Sequence, residues 1–349
     1  MLYAERGERM ARIEYVNIED AVGMALSHDM TQIDVKSGYK GARFKRGHIV
    51  KHEDLPVLRS MGKNSISVLY LEEGDIHEDD AALRLARRLA GEGLRIEGPE
   101  EGKVSLFAEW NGLIVYDEES IHTINEDVDW IAVTTPNKVP VKKGEPAAGI
   151  RVVPLTMREE QILRAEAAAL PLTVFPFHPL KTALVTTGRE IVEGRVRDAF
   201  APKLVRKLAF YGSTLMEQVI TGDEKEEIAQ AIQAFITKGA ELIIVTGGMS
   251  VDADDRTGAA IAQVSDSVVF NGVPALPGAR LMLALQDRTK IVGAPACVVH
   301  DEWTSMDILL NRLFAGLIPT LSEVRRWGAG GLCRKCRTCN YPVCAFAAR

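Results

Sequence analysis

Short apolar runs and amphipathic segments alternate along the second half of this 349-residue chain. The runs are four to six residues long, the length of a buried strand, and the segment after Asp223 carries apolar residues at i, i+3, i+4 and i+7, the spacing of one helix face. Predicted strands cover residues 183–187, 215–220, 241–245 and 289–292. Predicted helices cover residues 200–211, a segment capped by Asp223, and residues 302–314. This alternation predicts a three-layer αβα domain with a mostly parallel sheet.

The first half has no such regular alternation. Helices are predicted at 17–26, 53–61, 78–90 and 156–170, and strands at 65–71, 103–108, 113–116 and 130–134. We interpret residues 10–170 as an α+β region. Three prolines within 171–179 predict a linker at 171–180, followed by the α/β domain at 181–327 and a cysteine-rich tail at 328–349.

Composition narrows the function classes. A net charge of −6 and a pI near 5.8 argue against a nucleic-acid-binding protein. The sequence has no uninterrupted apolar stretch long enough to span a membrane, so we expect no membrane partner. The charged N-terminus lacks the apolar centre of a signal peptide, which predicts a cytoplasmic location.

Three loops directly follow predicted strands. The first contains Thr187, Gly188 and Glu190, the second runs from Thr246 to Asp255, and the third contains Gly293 and Pro295. Open α/β sheets bind ligands where parallel strands end. Glycines let backbone N–H groups approach an anion, and aspartates can hold a divalent cation. For the second loop alone, an ordinary solvated acidic turn is an equal alternative.

The order of these loops resembles a known domain family. The segments VTTGREIVEGRVRDAF, ELIIVTGGMSVDADDRT and GVPALPGARLML…KIVGAPAC are similar to the molybdopterin-binding domain. That domain is shared by molybdopterin adenylyltransferase, molybdopterin molybdenumtransferase, gephyrin and the competence/damage-inducible proteins. The similarity covers residues 181–321.

The resemblance implies a ligand, a reaction and partners. It implies molybdopterin as the ligand and, as the first hypothesis, insertion of molybdate into adenylylated molybdopterin with Mg²⁺. The alternatives are adenylyl transfer to molybdopterin, and a non-enzymatic carrier that hands the cofactor to a molybdenum or tungsten apoenzyme. A homo-oligomer is expected. Implied ligand-contacting residues are Thr187, Gly188, Glu190, Thr246, Gly247, Gly248, Ser250, Asp252, Asp254, Gly278, Gly293 and Pro295, and the candidate catalytic residues are Asp198, Asp223 and Asp255.

The tail concentrates four of the five cysteines, namely Cys333, Cys336, Cys339 and Cys344. Four thiolates at this spacing suit an iron–sulfur cluster or a tetrahedral zinc ion. Redox-active or sulfur-handling thiols and an inert tail are the alternatives. The run Gly328–Gly331 predicts a flexible hinge, so the tail should be separable from the α/β domain. Cys297 stands alone in an apolar context and is expected in the core.

Two other motifs have simpler interpretations. Residues 40–48 carry five basic side chains, which could hold an anion, although a solvated basic loop is favoured. His77 precedes three acidic residues, and the dipole of a helix that begins there already explains those acids.

Overall fold

The structure is a computed structural model that describes residues 12–24, 26–34, 39–70, 74–249 and 256–348. Its strands are β1 Arg12–Asn17, β2 Met30–Asp34, β3 Tyr39–Phe44, β4 Ser65–Tyr70, β5 Asp75–His77, β6 Leu94–Glu100, β7 Lys103–Ala108, β8 Gly112–Val115, β9 Trp130–Thr134, β10 Pro140–Val141, β11 Pro146–Val152, β12 Thr156–Arg158, β13 Thr173–Pro176, β14 Thr182–Thr187, β15 Leu215–Thr221, β16 Leu242–Thr246, β17 Ser267–Asn271, β18 Met282–Gln286 and β19 Thr289–Gly293. Its α-helices are α1 Leu55–Ser60, α2 Glu78–Leu89, α3 Glu118–Asn125, α4 Glu159–Ala168, α5 Arg189–Val192, α6 Phe200–Phe210, α7 Lys225–Thr237, α8 Thr257–Val264, α9 Ser305–Phe314 and α10 Leu321–Arg326.

The chain divides into two compact units. The first comprises Met1–Phe107, Asp117–Thr134 and Pro146–Pro171, and the second comprises Ala108–Tyr116, Thr135–Glu145 and Leu172–Arg349, as far as the described residues extend. The last boundary falls inside the predicted linker 171–180. Within that linker the structure has β13, which pairs antiparallel with β8 at the edge of a small sheet. An edge position tolerates the proline that ends this strand.

The second unit contains the expected sheet. Its six strands lie in the order β15-β14-β16-β19-β18-β17. The first four are parallel, whereas β18 and β17 are antiparallel additions. The prediction of a mostly parallel α/β sheet is confirmed, although the sequence analysis missed β17 and β18.

Alternating side chains of the central strands build a core on each face of this sheet. Leu184 and Ile244 face one core, together with side chains of α6 and α9. Val185 and Ile243 face the other, together with side chains of α7 and α8. Every residue of β14 and β16 is buried, as expected for parallel strands covered by helices on both faces. These are the three predicted layers.

Three helix starts differ from the sequence predictions. The helix predicted at 156–170 begins at Glu159, because Thr156–Arg158 pairs with β5 as the strand β12. The helix α7 begins at Lys225 after an N-cap at Glu224, so Asp223 is not its cap. The helix α9 begins at Ser305, three residues later than predicted, because Thr304 and Asp307 form a capping box there.

The first unit mixes helices with small antiparallel sheets. Its largest sheet has the order β6-β7-β11-β9, and α2 buries one face that includes Leu85 and Leu89. The predicted helix at 17–26 is wrong, because β1 continues to Asn17, where it pairs with β4, and turns follow. Gly23 adopts a φ of +90°, which takes the backbone out of a right-handed helix. Among the described residues of both units, no helix has the length and apolar character needed to cross a bilayer.

Candidate ligand site at the sheet edge

The three predicted loops meet at one edge of the second unit's sheet. The strand β16 lies between β14 and β19, and all three run parallel. Their carboxyl ends are Thr187, Thr246 and Gly293. The predicted convergence of these loops is therefore confirmed.

The first and second loops touch at Thr187 and Gly247. Gly247 has a φ of +91°, and a Cβ placed on it would lie 2.5 Å from the carbonyl oxygen of Thr187 and against its Oγ1. Only glycine fits this position. Thr187 is 3% exposed, and its Oγ1 has no hydrogen-bond partner among the described residues. A buried hydroxyl normally has a partner, so this atom marks a place where one is expected from outside the described residues.

The second loop closes onto the helix that follows it. The hydroxyl of Thr257, the first residue of α8, donates to the carbonyl of Gly247 over 2.9 Å. A Cβ on Gly248, whose φ is +54°, would lie 2.6 Å from that hydroxyl oxygen. The buried side chain of Met249 lies against Gly293 and so connects the second loop with the third. The predicted residues Ser250, Asp252, Asp254 and Asp255 lie outside the described residues.

The acidic residues of the first loop have defined partners. The exposed carboxylate of Glu190 lies against Gly188, whose φ of +145° allows this approach. The Oδ2 atom of Asp223 accepts the backbone N–H of Arg189 over 3.0 Å. Asp223 thus holds the loop at the start of α5, which is a positioning contact.

Asp198 is tied to the sheet through Gln218, a residue that the sequence analysis missed. The Oδ1 atom of Asp198 accepts the N–H of Phe200 over 2.8 Å, and its Oδ2 accepts from Nε2 of Gln218 over 2.6 Å. The same Nε2 lies 3.0 Å from Oγ1 of Thr186. A single side chain, that of Gln218, therefore connects Asp198 to Thr186 near the end of β14. Nothing local in the sequence indicates this, because it depends on β15 pairing with β14.

The remaining predicted residues lie at the β18–β19 side of the same edge. Met282 pairs with Gly293, so Gly278, four residues earlier, precedes β18 at this edge. Ser305 fixes it, because its Oγ donates to the Gly278 carbonyl over 2.6 Å. Pro295 is the N-cap of a 3₁₀ turn at Ala296–Val299. Cys297 lies in that turn, half-buried, and burial raises the pKa of its thiol.

The tail cysteines are divided by environment. Cys333 and Cys344 are half-buried, whereas Cys336 and Cys339 are exposed. Among the described residues, which include all four, three metal-binding side chains have ligand atoms within 4.8 Å of one another only at His77, Glu78 and Asp79. The four sulfur atoms therefore do not form a ready-made centre in this arrangement.

The His77 group in the first unit does not suit a metal. Nδ1 of His77 accepts the N–H of Asp79 over 3.2 Å, and Nε2 lies 2.7 Å from the carbonyl oxygen of Ser27. Both ring nitrogens are engaged, so neither is available to a cation. His77 is the N-cap of α2, and the acids after it occupy the first helical turn.

A cavity of about 690 Å³ lies elsewhere in the second unit, between α6, the start of α9 and residues 340–343. None of the predicted site residues lines it. Its buried cation, Lys207, is already bound to Asp307 Oδ1 over 2.5 Å and to the Glu302 carbonyl. This buried charge is therefore satisfied internally, and the sheet edge is the better candidate for an anionic ligand.

Comparisons with known proteins agree with the geometry of the edge. Residues 183–315 match a family model described as "Probable molybdopterin binding domain", and residues 15–70 match a domain of unknown function. A molybdopterin molybdenumtransferase of Synechococcus elongatus is 26% identical over 156 residues, which is 42% of this chain and 37% of that protein. A CinA-like protein of Mycobacterium leprae is 35% identical over 83 residues, which is 24% of this chain and 19% of that protein.

The solved structure of a molybdopterin biosynthesis protein from Mycobacterium abscessus overlaps 39% of this chain and 95% of its own, at 16% identity and a TM-score of 0.35. The chain spans well under two thirds of the length of the two curated relatives. The family match, by contrast, includes β14, β16, β19 and the loops that follow them. Residues 183–315 are therefore a domain of the molybdopterin-binding family.

Proposed function

We propose that the second unit binds molybdopterin at the carboxyl edge of β14, β16 and β19 and inserts molybdate into its adenylylated form. The observation that carries the proposal is the Oγ1 of buried Thr187, which has no partner among the described residues and lies at the junction of two loops of the matched domain. A phosphate oxygen is a strong acceptor, and this hydroxyl is a donor that has no described acceptor.

In this proposal, different residues of the chain have different roles in binding the ligand. Thr187, Gly188, Gly247 and Gly248 supply the hydroxyl and the close backbone for the ligand's phosphate. Glu190 and Asp198 belong to the segment that follows β14, and Asp223 holds the first loop in place. Asp252, Asp254 and Asp255 contribute the carboxylates that would hold Mg²⁺, an assignment that rests on the sequence. The ion would offset phosphate charge when bound.

The test separates the transferase from its alternatives. The full chain is titrated with molybdopterin, and adenylylated molybdopterin is then supplied with molybdate and Mg²⁺. Insertion predicts molybdate-dependent release of AMP. Release of pyrophosphate from ATP and molybdopterin would identify an adenylyltransferase, and binding without either product would identify a carrier. Absence of molybdopterin binding would refute the proposal as a whole.

Asp255→Asn is the matching variant. We expect it to abolish AMP release while leaving the unfolding midpoint unchanged, because a loop carboxylate contributes charge to the site. Unchanged turnover would remove Asp255 from the mechanism. The proposal also includes a cytoplasmic location. It includes a homo-oligomeric state, which sedimentation would examine, and delivery of the cofactor to a molybdenum or tungsten apoenzyme, which reconstitution of that apoenzyme would examine.

A further inference from the structure

The first part of the cysteine-rich tail is hydrogen-bonded to the rest of the second unit. The N–H of Leu276 donates to the carbonyl of Gly331, and the N–H of Cys333 donates to the carbonyl of Leu276, both over 2.7 Å. These two bonds form a parallel bridge between Leu276 and Leu332. Lys335 then forms an ion pair with Asp301 at 2.8 Å. The glycine run at 328–331 is thus held against the unit, contrary to the expected free hinge.

The end of the tail is attached as well. The ring of Tyr341 stacks on Trp303 with a centroid distance of 4.1 Å, and its hydroxyl accepts from Nδ2 of Asn311 over 3.0 Å. Phe346 is 4% exposed and belongs to the core that α6 and α9 share. The tail therefore completes this core and is not a separable appendix.

These two attachments sort the cysteines into pairs. Cys333 and Cys344 both pack against that same core, one at each end of the tail. Cys336 and Cys339 lie exposed on the stretch between the attachments. The backbone N–H of Tyr341 lies 3.5 Å from Sγ of Cys339. Two sulfurs are fixed, and two lie on the connecting stretch.

We propose that the four thiolates close around one metal centre and that this centre clamps the tail onto the second unit. The C-x2-C-x2-C-x4-C spacing places all four thiols on one short segment, and the exposed pair would close on the fixed pair through rearrangement of residues 336–340, between the Lys335–Asp301 ion pair and the Tyr341 ring. Each thiol that binds releases a proton, and Arg334, Lys335 and Arg337 offset the remaining negative charge. A zinc-class ion and an iron–sulfur cluster share this thiolate chemistry.

The position of the centre gives it a consequence. Cys333 pairs with Leu276, two residues before Gly278, and Lys335 pairs with Asp301, six residues after Pro295. The clamp would therefore stiffen two segments of the sheet edge. This consequence, unlike the metal centre itself, rests on the proposed function.

Metal binding is tested without any pterin. Reduced full-length protein is titrated anaerobically with Co²⁺, whose thiolate charge-transfer absorption reports coordination, and Zn²⁺ is used to displace it. A parallel sample receives iron and sulfide. We expect one centre per chain in one of these two arms. Cys336→Ser and Cys339→Ser should lose it, whereas Cys297→Ser, the matched control outside the tail, should keep it.

Trypsin digestion supplies a second measurement, because trypsin can cleave after Arg334, Lys335 and Arg337, which lie between the tail cysteines. Metal should protect these bonds in the parent protein and in Cys297→Ser, but not in Cys336→Ser. Four thiols that still titrate freely in both metal arms would overturn the proposal. Equal metal binding by Cys336→Ser and the parent would overturn it too. Neither outcome depends on whether the sheet edge binds molybdopterin.

Discussion

Buried threonines at the two ends of the second unit's sheet differ in whether their hydroxyls have hydrogen-bond partners. At the amino end, Thr182 donates to the carbonyl of Leu180 over 3.1 Å, and Thr289 donates to that of Ala240 over 2.8 Å. At the carboxyl end, Thr187 is just as buried but has no partner among the described residues. The two threonines at the amino end are satisfied by the backbone beside them, whereas the Thr187 hydroxyl at the carboxyl end has no acceptor among the described residues.

Glycines show the same contrast. Gly239, just before β16, has a φ of +80° and nothing within 4 Å of a Cβ placed on it. Gly247, just after β16, has a φ of +91° and meets Thr187. The first glycine only allows a turn, while the second also lets two loops approach each other. The carboxyl end is thus the more tightly specified of the two.

The largest effect is expected from Gly247→Ala. The new methyl group would clash with Thr187 and hold the backbone in a strained conformation, which should lower the free energy of unfolding by about 3 kcal/mol. Gly239→Ala is the matched control, because it adds the strain without the clash and should cost about 1 kcal/mol. Urea unfolding measures both. Equal losses would mean that the contact between the loops is not a constraint.

A smaller loss is expected from Thr289→Val at the amino end. This change removes the buried hydroxyl that donates to the Ala240 carbonyl, which should cost about 1.5 kcal/mol. Molybdopterin affinity should not change, because Thr289 lies at the opposite end of β19 from Gly293. An affinity loss in a folded Thr289→Val protein would show that the two ends are not separate in function.

Gln218→Met should have the next effect. It removes the donor shared by Asp198 and Thr186 while keeping the side chain's length, with a cost of about 1 kcal/mol to stability. Because Asp198 loses its link to β15, the rate of AMP release should also fall. Asp198→Asn, which keeps an acceptor for the N–H of Phe200, serves as the comparison. A normal rate in Gln218→Met would separate Asp198 from the site.

Local patterns predicted the frame of this unit but not its details. The runs that became β14 and β16 consist of aliphatic residues and buried threonines, because both faces of these strands are covered, and such runs are visible in sequence. The strand β17 has only Phe270 buried, so it leaves no periodic signal. The prediction of a helix at 17–26 was wrong because the chain turns at Gly23, and this turn depends on a backbone hydrogen bond to the distant Val50.

The features of the candidate site also fall into those that the sequence could predict and those that it could not. The glycines and the order of the loops could be predicted, because loop residues carry their chemistry locally. The partner of Asp198 could not be predicted, nor could the lack of a described partner for the Thr187 hydroxyl, since both depend on which strands become neighbours. The attachment of the tail was also hidden, because Trp303 and Tyr341 lie far apart in the sequence.

The most direct test of the account is a calorimetric titration of Thr187→Val with molybdopterin, beside an unfolding curve. Removing a hydroxyl that has no partner among the described residues should leave the unfolding midpoint unchanged, whereas losing one hydrogen bond to the ligand should weaken affinity by about tenfold. Thr289→Val should give the reverse pattern of reduced stability and unchanged affinity. The account would be contradicted if Thr187→Val bound molybdopterin as tightly as the parent protein, or if it lost as much stability as Thr289→Val.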